Sequence, residues 1–248
     1  MKNEIENILE AYEEMENIEI AELVKDQNEN VQEYKEICRK DTFIYSDAYI
    51  DDVGNYIPRQ IKGIYRESIE SGRDERILDY LKAWKHQENI MSCAAACSSM
   101  EIQVKSGKQI SEKELCKFGE ECGWYDPILG TYSQEIGKFL DYEGLNSKHY
   151  SKELTLSDLN ELNKNGVGLM VCVDSVILER PDLEKPCTVN HVVEIIGFDD
   201  SNPEHPLIII NNPGTMHGRG AAYELEHFER AAGAHTTGGK IKNVTTIY

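Results

Sequence analysis

The stretch Gln87-Glu88-Asn89-Ile90-Met91-Ser92-Cys93 sets an amide side chain six residues ahead of a thiol. The thiol opens a run of small residues, Ala94, Ala95, Ala96, Ser98 and Ser99, that reads as a helix from Ser92 to about Lys105. A cysteine in the first turn of a helix lies at the positive end of the macrodipole, which favours the thiolate and makes it a nucleophile near neutral pH. The Gln87 NH₂ group and the Cys93 backbone N–H can together bind the oxyanion of a tetrahedral intermediate. An acyl-transfer site also needs a base and a group that orients it. His191 opens an apolar strand pattern ending at Phe198, and Asn211-Asn212-Pro213-Gly214 closes the next one, which starts at Leu207. If the loop from Asp199 to Pro206 joins them as an antiparallel pair, the start of the first lies opposite the end of the second. Either Asn211 or Asn212 then falls beside His191 and can hold one ring nitrogen while the other faces Cys93.

These side chains need a frame. Gly168 to Val173 is a third apolar β run, and the three runs should pair into a sheet. The small-residue helix has the composition of a central, buried element. Three surface helices are expected between helix and sheet. Ser111 with Glu114 forms a capping box opening one, Tyr132 to Tyr142 is a second ended by Gly144, and Thr155 to Asn163 is a third. Ahead of Lys85 the character differs. Ile5, Ile8, Leu9, Tyr12 and Met15, then Val31, Tyr34, Ile37 and Cys38, recur at helical spacing. After turn signals from Asp51 to Pro58, helical patterns run from Pro58 to Ser71 and from Asp74 to Trp84. The sequence thus predicts an acidic all-helical region over 1–84, either a propeptide-like cover or a partner-binding segment, followed by a domain over 85–248.

Composition narrows the function. The 248 residues carry 45 Asp plus Glu against 26 Lys plus Arg, a net charge of −19, and the pI is near 4.8. That balance argues against nucleic acid, whose binding requires cations facing phosphates, and against anionic membrane surfaces. No apolar run reaches the roughly 18 residues of a membrane helix. Four charges within Met1 to Glu10 leave no signal-peptide core, so the chain reads as cytoplasmic when made, with any export by a non-classical or dedicated route. Seven cysteines without a Cys-x-x-Cys pair imply free thiols and no metal or other cofactor. Cys97 reads as core, Cys116 and Cys122 as structural, His86 as a solvated loop residue, and Asp199-Asp200 as a turn. His217, in a Gly-flanked loop, is a second-choice base.

The Gln87-x5-Cys93 spacing, the His191 strand running into Gly197-Phe198-Asp199-Asp200, and the Asn-Asn-Pro-Gly close together resemble the papain-like cysteine peptidases. Within them the chain is most similar to the double-glycine (bacteriocin-leader) peptidase branch and its stand-alone bacterial relatives. Ile110 to Leu115, Gly130-Thr131, Leu154 to Leu159 and Tyr223 to Phe228 agree with it, and the likeness covers about Lys85 to Ala232. The resemblance implies an α+β papain-like fold in which a central helix carrying the cysteine packs on an antiparallel sheet carrying the His and Asn. It implies Cys93 as nucleophile, His191 as base and then acid, Asn212 as orienting residue and Gln87 in the oxyanion hole. It further implies a hydrolase acting on peptide or isopeptide amides of a peptide or protein substrate through a Cys93 thioester. An acyltransferase or host-protein-modifying effector using the same thiol, or a catalytically silent binding module, are the alternatives. The chain departs from the branch in two places, with Asn212 where Asp is usual and Ala94 where Gly usually follows the nucleophile.

Overall fold

The computed structural model describes residues 43–64, 75–234 and 238–248. The helices expected within the first forty residues lie outside the described residues. The strands are β1 (Phe43–Tyr45), β2 (Tyr49–Ile50), β3 (Tyr56–Ile57), β4 (Arg59–Ile64), β5 (Ser147–Ser151), β6 (Gly168–Val173), β7 (His191–Asp199), β8 (Leu207–Asn211), β9 (Ala221–Glu224) and β10 (Asn243–Ile247). The helices are α1 (Glu75–Ala83), α2 (Cys93–Ser106), α3 (Glu112–Cys122), α4 (Ile136–Tyr142), α5 (Leu156–Lys164), α6 (Ser175–Glu179) and α7 (Leu225–Ala231). Eight strands form one antiparallel sheet in the order β1-β4-β9-β8-β7-β6-β10-β5, and β2 and β3 form a separate hairpin.

The sheet is buried on both faces, which explains why β6 and β8 are apolar at nearly every position rather than alternating. On one face Met170, Cys172, Val192 and Ile247 meet Ala94, Ala95, Cys97 and Met100 of α2, with Leu115 of α3 and Phe139 of α4. On the same face, toward the β1 edge, Ile196, Leu207 and Ile209 meet Ile77, Leu78 and Leu81 of α1. On the other, Val171, Val193, Ile195, Ile208 and Ile210 pack against Leu159, Ile177 and Phe228. The result is the α+β arrangement anticipated for a papain-like fold: α2 lies on an antiparallel sheet, with Cys93 at the helix N-terminus and His191 and the asparagines at strand ends.

Local chemistry sets the element boundaries. The Ser111 side chain accepts from Glu114 N while Glu114 reaches back to Ser111 N, and Thr155 with Asp158 repeats that capping box at α5. Helix α2 is buried on nearly every side from Ala94 to Ile102, which only small residues allow at this density. It stops at Gly107, whose φ of 71° and N–H to Gln103 O form a left-handed cap.

One expectation is corrected. The helix anticipated from Pro58 is the strand β4 over Arg59–Ile64, and β1 to β3 precede it, so the front is not wholly helical. Ile61 and Ile64 fit a helical period, but the stretch is rich in β-branched and aromatic residues and too short for periodicity to decide. Its partners decide instead: Arg59 and Gln60 pair with Ala222 and Ala221 of β9, and Ile61 N donates to Gly220 O. Residues 59–64 and α1 therefore share the sheet and core of the residues after Lys85.

Candidate active site

The loop from Gln87 to Ser92 delivers Cys93 to the first position of α2, where its side chain is half-buried. His191, the first residue of β7, meets the thiol from the sheet. Its Nε2 lies 2.7 Å from Asn212 Oδ1, which leaves Nδ1 as the ring nitrogen for the thiol. Cys93, His191 and Asn212 are thus brought together in that order.

The strand pleat chooses between the two asparagines. Asn211 is opposite Glu194 in the β7–β8 register, and its Nδ2 donates to Glu194 Oε2 at 2.9 Å and to Tyr80 O at 2.8 Å. It faces α1. Asn212, one residue on, takes the other face and reaches His191. Both are fully buried, so the amide dipole at Asn212 acts with little solvent screening.

Asn212 is held on every side. Its Oδ1 also accepts from Gly214 N at 2.9 Å, its N donates to Gly218 O at 2.8 Å, and Trp84 Nε1 donates to its carbonyl at 3.2 Å. The loop closes on itself so tightly that a Cβ at Gly218 would sit 1.9 Å from Asn212 O, and one at Gly214 would sit 2.8 Å from His191 Cε1. Gln87 N donates to Pro213 O at 2.9 Å, tying the segment that carries the nucleophile to the one that carries the orienting residue.

Charge follows this geometry. Burial opposes ionisation of Cys93, but the His191 hydrogen bond and charge, with the backbone at Val192 and Ala94, outweigh it and hold the thiol below its ordinary range. Burial likewise pulls His191 down, yet Cys93, the Asn212 bond and the Glu179 carboxylate raise it above its ordinary value. The pair favours thiolate and imidazolium together. The other thiols behave oppositely: burial drives Cys97 well up, Cys172 to about 12 and Cys116 to about 11.

Gln87 is buried beside the nucleophile loop, and its Nε2 donates to Asn89 O at 2.8 Å. An amide NH₂ has two hydrogens, so this bond orients the group and leaves one donor. Cys97 is enclosed in the core and its Sγ lies 3.5 Å from Val192 O, while His86 and His217 are exposed. Asp199 is engaged by Ser201 N and the Tyr45 hydroxyl, and Asp200 pairs with Lys164, as befits a turn. The six cysteines among the described residues are free thiols.

Sequence reasoning missed Trp84, Glu112 and Glu179. Trp84 was absorbed into a helix pattern, Glu112 into a capping box, and Glu179 lies in a segment without periodicity. Only the tertiary fold brings them to the site.

Among the described residues no helix is long and apolar enough to cross a membrane. No family model and no curated protein matches the chain. Among solved structures it is similar to the peptidase domain of Streptococcus ComA, a bifunctional ABC transporter involved in quorum sensing. That match has 13% identity and a TM-score of 0.46 and covers 66% of this chain and 96% of that one. It is also similar to a double-glycine-motif protease from an AMS/PCAT transporter in complex with the leader peptide, at 18% identity and a TM-score of 0.43, over 65% of this chain and 88% of that one.

Proposed function

We propose that the protein is a cysteine peptidase that hydrolyses peptide or isopeptide amide bonds through a thioester on Cys93. The observation that carries this reading is the His191 ring set between the Cys93 thiol and Asn212 Oδ1, with the nucleophile at a helix N-terminus. The thiolate adds to the amide carbonyl, and the oxyanion is met by the Cys93 N–H and the free Gln87 hydrogen. Collapse of the intermediate breaks the C–N bond, and the imidazolium of His191 passes its proton to the departing amine. Neutral His191 then takes a proton from water as the water attacks the thioester. The carboxylic acid leaves, and thiolate and imidazolium are restored.

The cleft is flanked by apolar surface. Ile90 in the nucleophile loop is 85% exposed, and Gly130 packs on Met91 O, which sets Ile128 and Leu129, 79% and 66% exposed, beside it. A peptide with apolar side chains near the scissile bond fits this rim, since burying each one contributes roughly 1.5–3 kcal/mol. The test is turnover of a proteome-derived peptide library read by mass spectrometry, with Cys93→Ala and Cys97→Ala as controls. New termini produced by the wild type and Cys97→Ala but absent from Cys93→Ala support the assignment. Equal cleavage by Cys93→Ala would remove it.

A further inference from the structure

Glu112 is the one carboxylate that grips the nucleophile loop. It is almost fully buried at the first position of α3, and both of its oxygens lie 3.0 Å from Glu88 N. Its Oε1 also accepts from the Ser92 hydroxyl, which in turn donates to Asn89 O. Ser92 is the residue immediately before the nucleophile, and Glu88 is the residue immediately after Gln87. One side chain from a different helix therefore fixes both ends of the loop on which the two oxyanion donors are mounted. Lys85 Nζ bonds Ser99 Oγ at 2.8 Å, and Ser99 Oγ donates to Ile110 O at 2.6 Å, so α2 and the start of α3 are locked beside that loop.

A buried carboxylate is costly unless its lone pairs are used, and here they are used on backbone and hydroxyl donors of the loop. A capping role for α3 does not explain this, because Ser111 and Glu114 already cap it. We infer that Glu112 is a positioning residue for the oxyanion hole, holding Gln87 and the Cys93 N–H in register through Glu88 and Ser92. The inference rests on Cys93 being the nucleophile. It goes beyond that reading by assigning the hole a separate support, independent of the His191–Asn212 side.

The two contributions separate experimentally, because alkylation of a thiolate forms no oxyanion whereas acylation does. Iodoacetamide and p-nitrophenyl acetate are both small enough to need no substrate specificity. Their second-order rates at Cys93, located by peptide mass mapping, are to be measured for the wild type, Glu112→Ala, Glu112→Gln and Ser92→Ala.

The expected result is alkylation within about twofold of wild type in all variants. Acylation should fall about tenfold or more in Glu112→Ala, since small displacements of oxyanion donors are expensive. Glu112→Gln, which keeps one acceptor, should fall less, and Ser92→Ala should lie between. Circular dichroism and thermal unfolding report whether each variant is folded, and Glu112→Gln or Ser92→Ala supplies the comparison if Glu112→Ala is not. Acylation unchanged in every folded variant, or alkylation falling in parallel with acylation, overturns the role. If wild-type Cys93 reacts no faster than Cys122 with either reagent, the nucleophile assignment itself fails and this inference fails with it.

Discussion

Replacing Asn212 by Ala removes the acceptor on the far side of the His191 ring. In the native site that oxygen lies 2.7 Å from His191 Nε2 and 2.9 Å from Gly214 N. A hydrogen bond to a charged partner is worth roughly 1.5–3 kcal/mol, which corresponds to a ten- to hundredfold loss of the thiolate–imidazolium form. The direction at each partner is fixed. His191, which the bond helps raise, titrates at lower pH, and Cys93, which the imidazolium holds down, titrates at higher pH. The window of the reactive ion pair therefore narrows from both sides. Orphaning the Gly214 N–H should add roughly 1–3 kcal/mol of destabilisation. The assay is the iodoacetamide rate at Cys93 between pH 4 and 10, with urea unfolding in parallel. Asn212→Asp keeps an acceptor in the same place and adds negative charge, so it should recover the rate and hold the imidazolium to still higher pH. An Asn212→Ala profile that overlays the wild type would refute the orienting role.

Two further outcomes follow from packing and charge. Glu101 and Glu194 are fully buried between α2 and β7, with Tyr80, Lys85, Lys105, Cys97 and Asn211 around them, and burial raises Glu101 to about 7 and Glu194 well above the ordinary range. The folded state then holds protons that the unfolded chain releases near pH 4.5. This stability is complete below that pH and is lost as pH rises through about 7, by something on the order of 3 kcal/mol. Glu101→Gln should flatten the dependence in denaturant unfolding at pH 5 and pH 8, and an equally steep variant would contradict it. At Gly214 an added methyl would lie 2.8 Å and 2.9 Å from two His191 ring atoms. Gly214→Ala should therefore lower turnover sharply while costing only about 1–3 kcal/mol of stability, as overpacking does. Full activity in that variant would show that the ring can move freely.

The residues that meet around Cys93 were legible because their constraints are local. A small-residue helix behind a thiol, a strand opening on His191, and turn chemistry after Asn212 each leave a mark within ten residues. The choice of Asn212 over Asn211 was not legible, since it depends on pleat phase and on the bulge between Ile195 and Gly197, which only the paired strand sets. The short strands β1 to β4 escaped for the same reason: two to six residues carry too little periodicity, and β4 is a strand because β9 offers it an edge. Strands β5 and β10 were missed because alternation with Lys148, His149, Thr245 and Thr246 mimics a polar loop, although β10 is the centre of a three-strand ladder with β5 and β6. Glu112 shows the limit most clearly. Its sequence neighbours explain a helix cap, while its contacts lie 20 and 24 residues away.

The central claim is that Cys93 alone among the thiols is activated, and pH-resolved alkylation of the whole chain tests it most directly. Brief iodoacetamide labelling at pH 6, with peptide mapping of every cysteine, should modify Cys93 strongly and leave Cys97, Cys116 and Cys172 unmodified, and His191→Ala should abolish the selectivity. Cys93 labelling that appears only above pH 8.5, in step with exposed Cys122 and unchanged by His191→Ala, would contradict the account.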